Sequence, residues 1–152
     1  MTIIPFEPKY AAAFKALNVE WLEHFFWVEP HDEEVLGNPG KYIIAPGGKI
    51  FLVKDGEEAV ATVALMKMED GIYELTKMAV APKMRGKKVG QKLMTYTLDF
   101  ARKQDWEKLI IYSNTKLENA IYIYKKFGFR EIPLEKDLPY DRADIKMELP
   151  LS

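Results

Sequence analysis

Apolar residues recur along this chain with two different periods, and the switches between them outline its elements. "TIIPF" (2–6) reads as a short strand whose proline, lacking a backbone donor, belongs at a sheet edge or a strand end. From Pro8 the spacing changes to three and four, and Tyr10, Phe14, Leu17, Trp21 and Phe25 predict a helix. "EPHDEEVLGNPG" breaks that helix and predicts one short helical turn, ended by Gly37 and Pro39. The run from Lys49 to Val80 then reads as three strands joined by tight turns at Asp55-Gly56 and Asp70-Gly71.

"VGQKLMTYTLDFARKQ" returns to helical intervals through Val89, Leu93, Tyr96, Leu98 and Phe100. "KLIIYS" is a continuous apolar run of strand length, as expected for a strand buried on both faces. "KLENAIYIYKKFGF" predicts a helix with Leu117, Ile121 and Tyr124 on one stripe and Gly128 as its stop. "FREI" and "DIKMEL" finish the chain as two more strands. The predicted fold class is therefore α/β. It has a mixed twisted sheet of about six to seven strands, an antiparallel N-terminal meander, a central βαβ unit and about four helices.

Composition narrows what such a fold can do. At 152 residues the chain is expected to form a single domain over 1–152, and 48% hydrophobic with 30% charged residues suits a soluble globular protein. The net charge of −1 argues against a general nucleic-acid binder, which carries a strong basic excess. With no cysteine, disulfides, cysteine nucleophiles and thiolate metal sites are excluded. No apolar run approaches the roughly 18–20 residues that cross a membrane, and the N-terminus lacks a signal-peptide pattern, so a cytoplasmic location is expected. His24 and His31 stand alone with no second ligand at metal spacing, and no metal is predicted.

Against this balanced background "KMRGKKVG" (83–90) places four cations and two glycines between a predicted strand (72–80) and a predicted helix. The first amides of a helix have no internal partners and sit at the positive end of its dipole. Glycine lets such amides approach an anion without a Cβ in the way. Lys83, Arg85, Lys87, Lys88 and Lys92 add formal charge, so a pyrophosphate would suit the site. A solvated basic turn fits the loop alone equally well. The spacing is neither a P-loop nor the dinucleotide fingerprint, which needs a third glycine.

"ELTKMAVAPKMRGKKVGQKLM", followed some thirty residues later by "NAIYIYKKFGF", resembles motifs A and B of the GNAT superfamily of acyl-CoA-dependent N-acetyltransferases. The resemblance covers nearly the whole chain. It implies that acetyl-CoA is the cosubstrate and that the backbone of Met78 and Val80 pairs with its pantetheine arm. It further implies that amides from Arg85, Gly86, Lys87, Lys88, Val89, Gly90 and Gln91 hold the pyrophosphate. The arm would lie in a V-shaped split between strands 72–80 and 108–113, with Asn114 at its mouth a weaker contact. Lys83 stands where the family often has Gln or Arg, Lys88 where it usually has Gly or Ala, and Leu117 where motif B often carries Asn. Residue 88 must therefore tolerate the backbone angles of a glycine position.

Glu74 lies six residues before Val80, where several members place a general base, and simple alternation would put Glu74, Thr76, Met78 and Val80 on one face. Tyr124 matches the family tyrosine that gives a hydrogen bond or proton to the CoA sulfur, and the Val80 N–H would polarise the thioester carbonyl. A surface-paired carboxylate and a packed helix tyrosine are the plainer readings of Glu74 and Tyr124. Trp21, Phe25, Trp27 and Glu29 fall where the family builds its acceptor site, with Tyr140 and Arg142 on the closing side. Acidic residues at 20, 23, 29 and 32–34 would favour a cationic amine, or simply form a solvated face. The expected partner is a small-molecule or peptide amine, with no nucleic acid and no membrane, and a homodimer is left open. A non-catalytic acyl-CoA-binding module is the alternative function.

Overall fold

A computed structural model describes residues 1–138 and 140–151. Seven strands form one sheet in the order β1-β2-β3-β4-β5-β7-β6. These are β1 (Thr2–Pro5), β2 (Lys49–Asp55), β3 (Glu58–Glu69), β4 (Ile72–Val80), β5 (Lys108–Ser113), β6 (Arg130–Ile132) and β7 (Ile145–Pro150). Four α-helices accompany them: α1 (Ala11–Phe25), α2 (Pro30–Gly37), α3 (Val89–Arg102) and α4 (Glu118–Lys126). Strands β1 to β4 are antiparallel, β4 and β5 are parallel around α3, and β7 returns antiparallel between β5 and β6. The fold class and element order thus agree with the periodicities.

Two apolar clusters sandwich the sheet. On one face Phe51, Val63, Leu65, Leu75 and Leu109 pack with Leu93, Met94 and Leu98 of α3 and Ile121 of α4. On the other, Ile50, Leu52 and Ala64 pack with Phe14 and Leu22 of α1 and Val35 and Leu36 of α2. Burial of these side chains on both faces is the main force holding the layers together.

Three local features depart from the sequence reading. The segment after α1 is an eight-residue helix rather than one turn. Glu29 and Asp32 cap it reciprocally, each carboxylate accepting the other residue's backbone N–H, with Pro30 at the first helical position. Along α1 the fully buried positions are Phe14, Asn18 and Leu22, so Trp21 and Phe25 lie at the edge of the buried stripe and face the clefts described below.

The third departure is in β4. Pairing with β3 slips by one residue between Thr62↔Ala79 and Ala64↔Thr76, and Lys77 within the slip has φ 53°. This β-bulge breaks the alternation. Tyr73 and Leu75 before it and Met78 and Val80 after it all pack on the α3 side. Glu74, Thr76 and Lys77 are left together toward the α1–α2 side, so Glu74 does not share a face with Met78 and Val80. A bulge also bends its strand. Pairing of β4 with β5 stops at Glu74↔Ile110, and the two strands diverge beyond it.

Candidate active site

The divergence of β4 from β5 opens a cleft of about 740 Å³. Its walls are Met78–Val80 of β4, the turn into α3, the start of α4, and Trp21 and Phe25 of α1. Gly86 has φ 79°, and a Cβ there would meet nothing, so its glycine answers a backbone demand rather than a steric one. At Gly90 a Cβ would come 3.5 Å from Val80 Cγ2, close to the cleft wall. Lys88 is the residue immediately before α3 and holds φ 62°, ψ 19°, a left-handed conformation that costs a non-glycine residue about 1–2 kcal/mol. Arg85 N–H donates to Pro82 O at 3.3 Å and Lys87 N–H to Met84 O at 3.4 Å, both turn bonds. The amides of Val89, Gly90 and Gln91 are in the first turn of α3, where a helix offers no acceptor.

Cations around this turn are unequal. Lys83 pairs with Glu58 at 2.6 Å on the exposed surface and does not line the cleft, nor does Lys87. Arg85 does line it, and its guanidinium pairs with Glu20 of α1. On the opposite wall Lys116 Nζ donates to Phe25 O at 2.7 Å, tying the end of α1 to the start of α4.

A second cavity, about 100 Å³, adjoins the first and shares Trp21, Met78, Leu117 and Tyr124 with it. Glu74, Thr76 and Lys77 form its β4 wall, with Asn18 of α1, Asp32 of α2, Tyr112 of β5 and Tyr140 and Arg142 of the closing loop. Its ionic groups are interlocked. Asp32 accepts from Lys77 Nζ at 2.9 Å and from both terminal nitrogens of Arg142 at 2.6 and 2.8 Å. Burial works against the charge on Asp32, but Arg142 and Lys77 outweigh it and hold the carboxyl down at about 2. Lys77 Nζ also donates to the Tyr140 hydroxyl at 3.2 Å, and burial pulls the pKa of this ammonium below its ordinary value.

Glu74 differs from Asp32 in having no cation within ion-pair distance among the described residues. Burial pushes its carboxyl up to about 7, a rise that the nearby Lys77 charge and the Thr76 hydroxyl only partly offset. A carboxyl poised near neutrality in a cavity is suited to taking and giving protons at physiological pH. Across the shared wall, burial raises Tyr124 to about 12, so this hydroxyl stays protonated and available as a donor.

Residues 7–129 match the model of the Acetyltransferase (GNAT) family. The chain belongs to the GNAT acetyltransferase family. An uncharacterized N-acetyltransferase of Escherichia coli (strain K12) is 29% identical over 72% of the chain, and the chain spans 53% of that relative's length. A putative ribosomal protein bS18-alanine N-acetyltransferase of Bacillus subtilis (strain 168) is 22% identical over 90% of this chain and 92% of its own. The crystal structure of a GNAT-family acetyltransferase from Staphylococcus aureus superposes with a TM-score of 0.86 at 22% identity, covering 99% of each chain. A spermidine N-acetyltransferase from Vibrio cholerae, described in complex with CoA and spermine, superposes with a TM-score of 0.74 at 19% identity over 99% of this chain and 95% of that one. Its fold likeness is the relevant point.

Within the GNAT frame the structure sorts the residues named from sequence. Met78, Val80, Arg85, Gly86, Lys88, Val89, Gly90 and Gln91 line the larger cleft, as do Trp21 and Phe25. Glu74, Arg142 and Asn114 line the smaller cavity, and Tyr124 lines both. Since Arg85 and not Lys83 faces the cleft, the Gln/Arg place of motif A is better assigned to Arg85, with Lys88 and Gly90 at its two small-residue places. Lys88 at positive φ shows why a glycine is common there.

Four assignments change. Lys87 lies off the larger cleft, with its N–H given to Met84 O at 3.4 Å. Glu29 does not line either cavity: one oxygen accepts the Asp141 N–H and the other pairs with Arg142, both at 2.7 Å. The Asn114 amide is spent on Arg142 O at 2.7 Å and the Lys116 N–H at 2.9 Å, so it anchors the closing loop instead of reaching a ligand. Trp27 points to solvent, 53% exposed. Within the closing segment, Pro139 lies outside the described residues. Sequence reasoning missed Asn18, Lys77 and Tyr112 and took Asp32 only as part of an acidic stretch; no local signal marks any of them as inward-facing.

Proposed function

We propose that this chain is an acetyl-CoA-dependent N-acetyltransferase that transfers acetyl directly to a primary amine, working as one GNAT domain in the cytoplasm. The observation that carries the reading is the adjacency of two unlike cavities. One has backbone donors, a helix N-terminus and Arg85 along a long cleft; the other holds an unpaired carboxylate, Glu74; Tyr124 lies on the wall between them. The larger cleft fits CoA by donor chemistry: first-turn amides and Arg85 at one end for phosphates, and a β4 edge free of strand partners beyond Glu74 for an amide-bearing arm. A structural neighbour described in complex with CoA supports the same assignment.

When bound, acetyl-CoA supplies an acetyl thioester whose leaving group is a thiolate. Glu74, ionised near and above neutral pH, accepts a proton from the acceptor's ammonium and so exposes the nitrogen lone pair. The carbon–nitrogen bond forms as the carbon–sulfur bond breaks. Tyr124, protonated at neutral pH, passes its hydroxyl proton to the departing sulfur and is restored by the second proton that the nitrogen sheds on becoming an amide. CoA thus leaves as the thiol, and Glu74 keeps the proton it took. The chain has no cysteine to form a thioester of its own, which favours direct transfer.

Thiol release from acetyl-CoA in the presence of primary amines tests the reading. Wild-type protein is expected to release thiol in an amine-dependent way. Tyr124→Phe is expected to slow it by about tenfold to a hundredfold, within the usual range for a lost proton donor. CoA binding with no amine-dependent release, unaltered by Tyr124→Phe or Glu74→Gln, would instead mark a binding module.

A further inference from the structure

The smaller cavity specifies the charge of its occupant. Four ionised groups other than Glu74 belong to it or brace it, and they cancel in pairs. Asp32 and Glu29 are negative, Lys77 and Arg142 positive, and every one of them has its partners within 2.6–2.9 Å. Arg142 spends three donors on those two carboxylates, while Glu29's second oxygen takes the Asp141 N–H. What remains among the described lining residues is one carboxylate without an ion-pair partner, Glu74, on walls that carry the rings of Trp21, Phe26, Tyr112 and Tyr140 beside neutral polar groups such as Asn18 and Ser113.

We propose that the acceptor is a monoamine with a flat apolar substituent and no carboxylate beside its nitrogen. This rests on the transfer reading above for the site, but concerns only which amines the site admits. One ammonium facing Glu74 neutralises the cavity. An acceptor carboxylate would find no free cation among the described residues lining the smaller cavity, since Lys77 and Arg142 are already paired there, and it would add to an existing negative charge. A buried charge without a partner is strongly disfavoured. A polyamine's second ammonium likewise has no second free carboxylate on the described walls. The aromatic surround favours the face of a flat group and attracts a cation near it. At about 100 Å³ the cavity is well below drug-sized pockets of roughly 300 Å³ and more, so it takes the amine end of a short chain.

The test titrates four probes into CoA-saturated protein by calorimetry at neutral pH: 2-phenylethylamine, phenylalaninol, phenylalanine and spermidine. The first two are expected to bind, phenylalanine about tenfold or more weakly than phenylalaninol, and spermidine about tenfold or more weakly than 2-phenylethylamine. Phenylalaninol and phenylalanine differ by the carboxylate, which isolates its charge. Glu29→Gln frees a donor of Arg142 and is expected to narrow the phenylalanine penalty to a few-fold. Equal or tighter binding of phenylalanine or spermidine, or binding of none of the four, overturns the proposal. Thiol release is read in parallel: the expected binding order without release defeats the transfer reading alone, whereas release with the order reversed defeats this one alone.

Discussion

Glu74→Gln should abolish the proposed base and at the same time make the protein more stable. In an unfolded chain this carboxyl has its ordinary value of 4.5, whereas in the folded protein burial holds it at about 7. Because the folded-state value is the higher one, folding favours the protonated acid. No penalty exists below pH 4.5, where both states are neutral. The penalty grows as pH rises from 4.5 through about 7 and then levels off, when both states are ionised. A difference of roughly 2.5 pH units at 1.36 kcal/mol each corresponds to about 3 kcal/mol as an upper figure. Glutamine keeps the shape and cannot ionise, so the variant should gain about 2–3 kcal/mol at pH 8, or roughly 5–9 °C in Tm for a chain of this size. Near pH 4.5 the two proteins should melt together. Urea titrations of both proteins across pH 4.5–8.5 would show the gap opening with pH. In wild-type protein the rate of amine-dependent thiol release should rise with unit slope up to a break near pH 7 and flatten above it. If Glu74→Gln is destabilising by a similar amount at pH 8, Glu74 is instead a structural ion-pair member, and both the base assignment and the burial argument fail.

Two further perturbations separate strain and charge at the site. Lys88→Gly relieves the left-handed backbone at the head of α3 while loosening the unfolded chain, so a net gain of about 0.5–1 kcal/mol is expected in urea denaturation. The same variant should bind CoA about threefold more weakly, with a shallower salt dependence, because one cation is lost from the cleft lining. Asp32→Ala strips Lys77 and Arg142 of their shared partner and should cost about 3–5 kcal/mol at neutral pH by the same measurement. Asp32 is held at about 2 against an ordinary 3.8, so the stability it contributes is present above 3.8 and declines as pH falls toward 2. A loss below about 1 kcal/mol at pH 7 would show that the network is far less buried than its geometry indicates.

Most of the fold was legible because its signals are local. Hairpins at Asp55-Gly56 and Asp70-Gly71, the 3.6-residue stripes of α1, α3 and α4, and the unbroken apolar run of β5 each sit within one short window. The loop that edges the larger cleft was legible for the same reason, since glycines and cations lie side by side in 83–90. The ionic floor of the smaller cavity was not. Asp32, Lys77 and Arg142 are 45 and 65 residues apart, and each stands among residues that suit a surface. A Lys between Thr76 and Met78 in an alternating strand reads as solvent-facing. Glu29 and Asp32 read as part of an acidic face because the cap that turns them inward depends on a helix too short to show a period.

The bulge at Lys77 explains why the missed residues belong together. One extra residue in β4 reverses the side-chain phase, so Lys77 and Glu74 face the α1–α2 side while Met78 and Val80 line the larger cleft. The same residue bends β4 away from β5 just past Glu74, where their pairing stops, and the gap so made is the shared wall of both cavities. A left-handed lysine in a strand costs about 1–2 kcal/mol, and burying its ammonium costs more. Asp32 at 2.9 Å and the Tyr140 hydroxyl at 3.2 Å offset that cost, and the Arg142 guanidinium and the Glu29 backbone N–H in turn satisfy the charge on Asp32. The network therefore neutralises the lysine that the bulge turns inward. Among the described residues of the smaller cavity Glu74 is left as the carboxylate without an ion-pair partner, which is the state the proposed base needs before its substrate arrives.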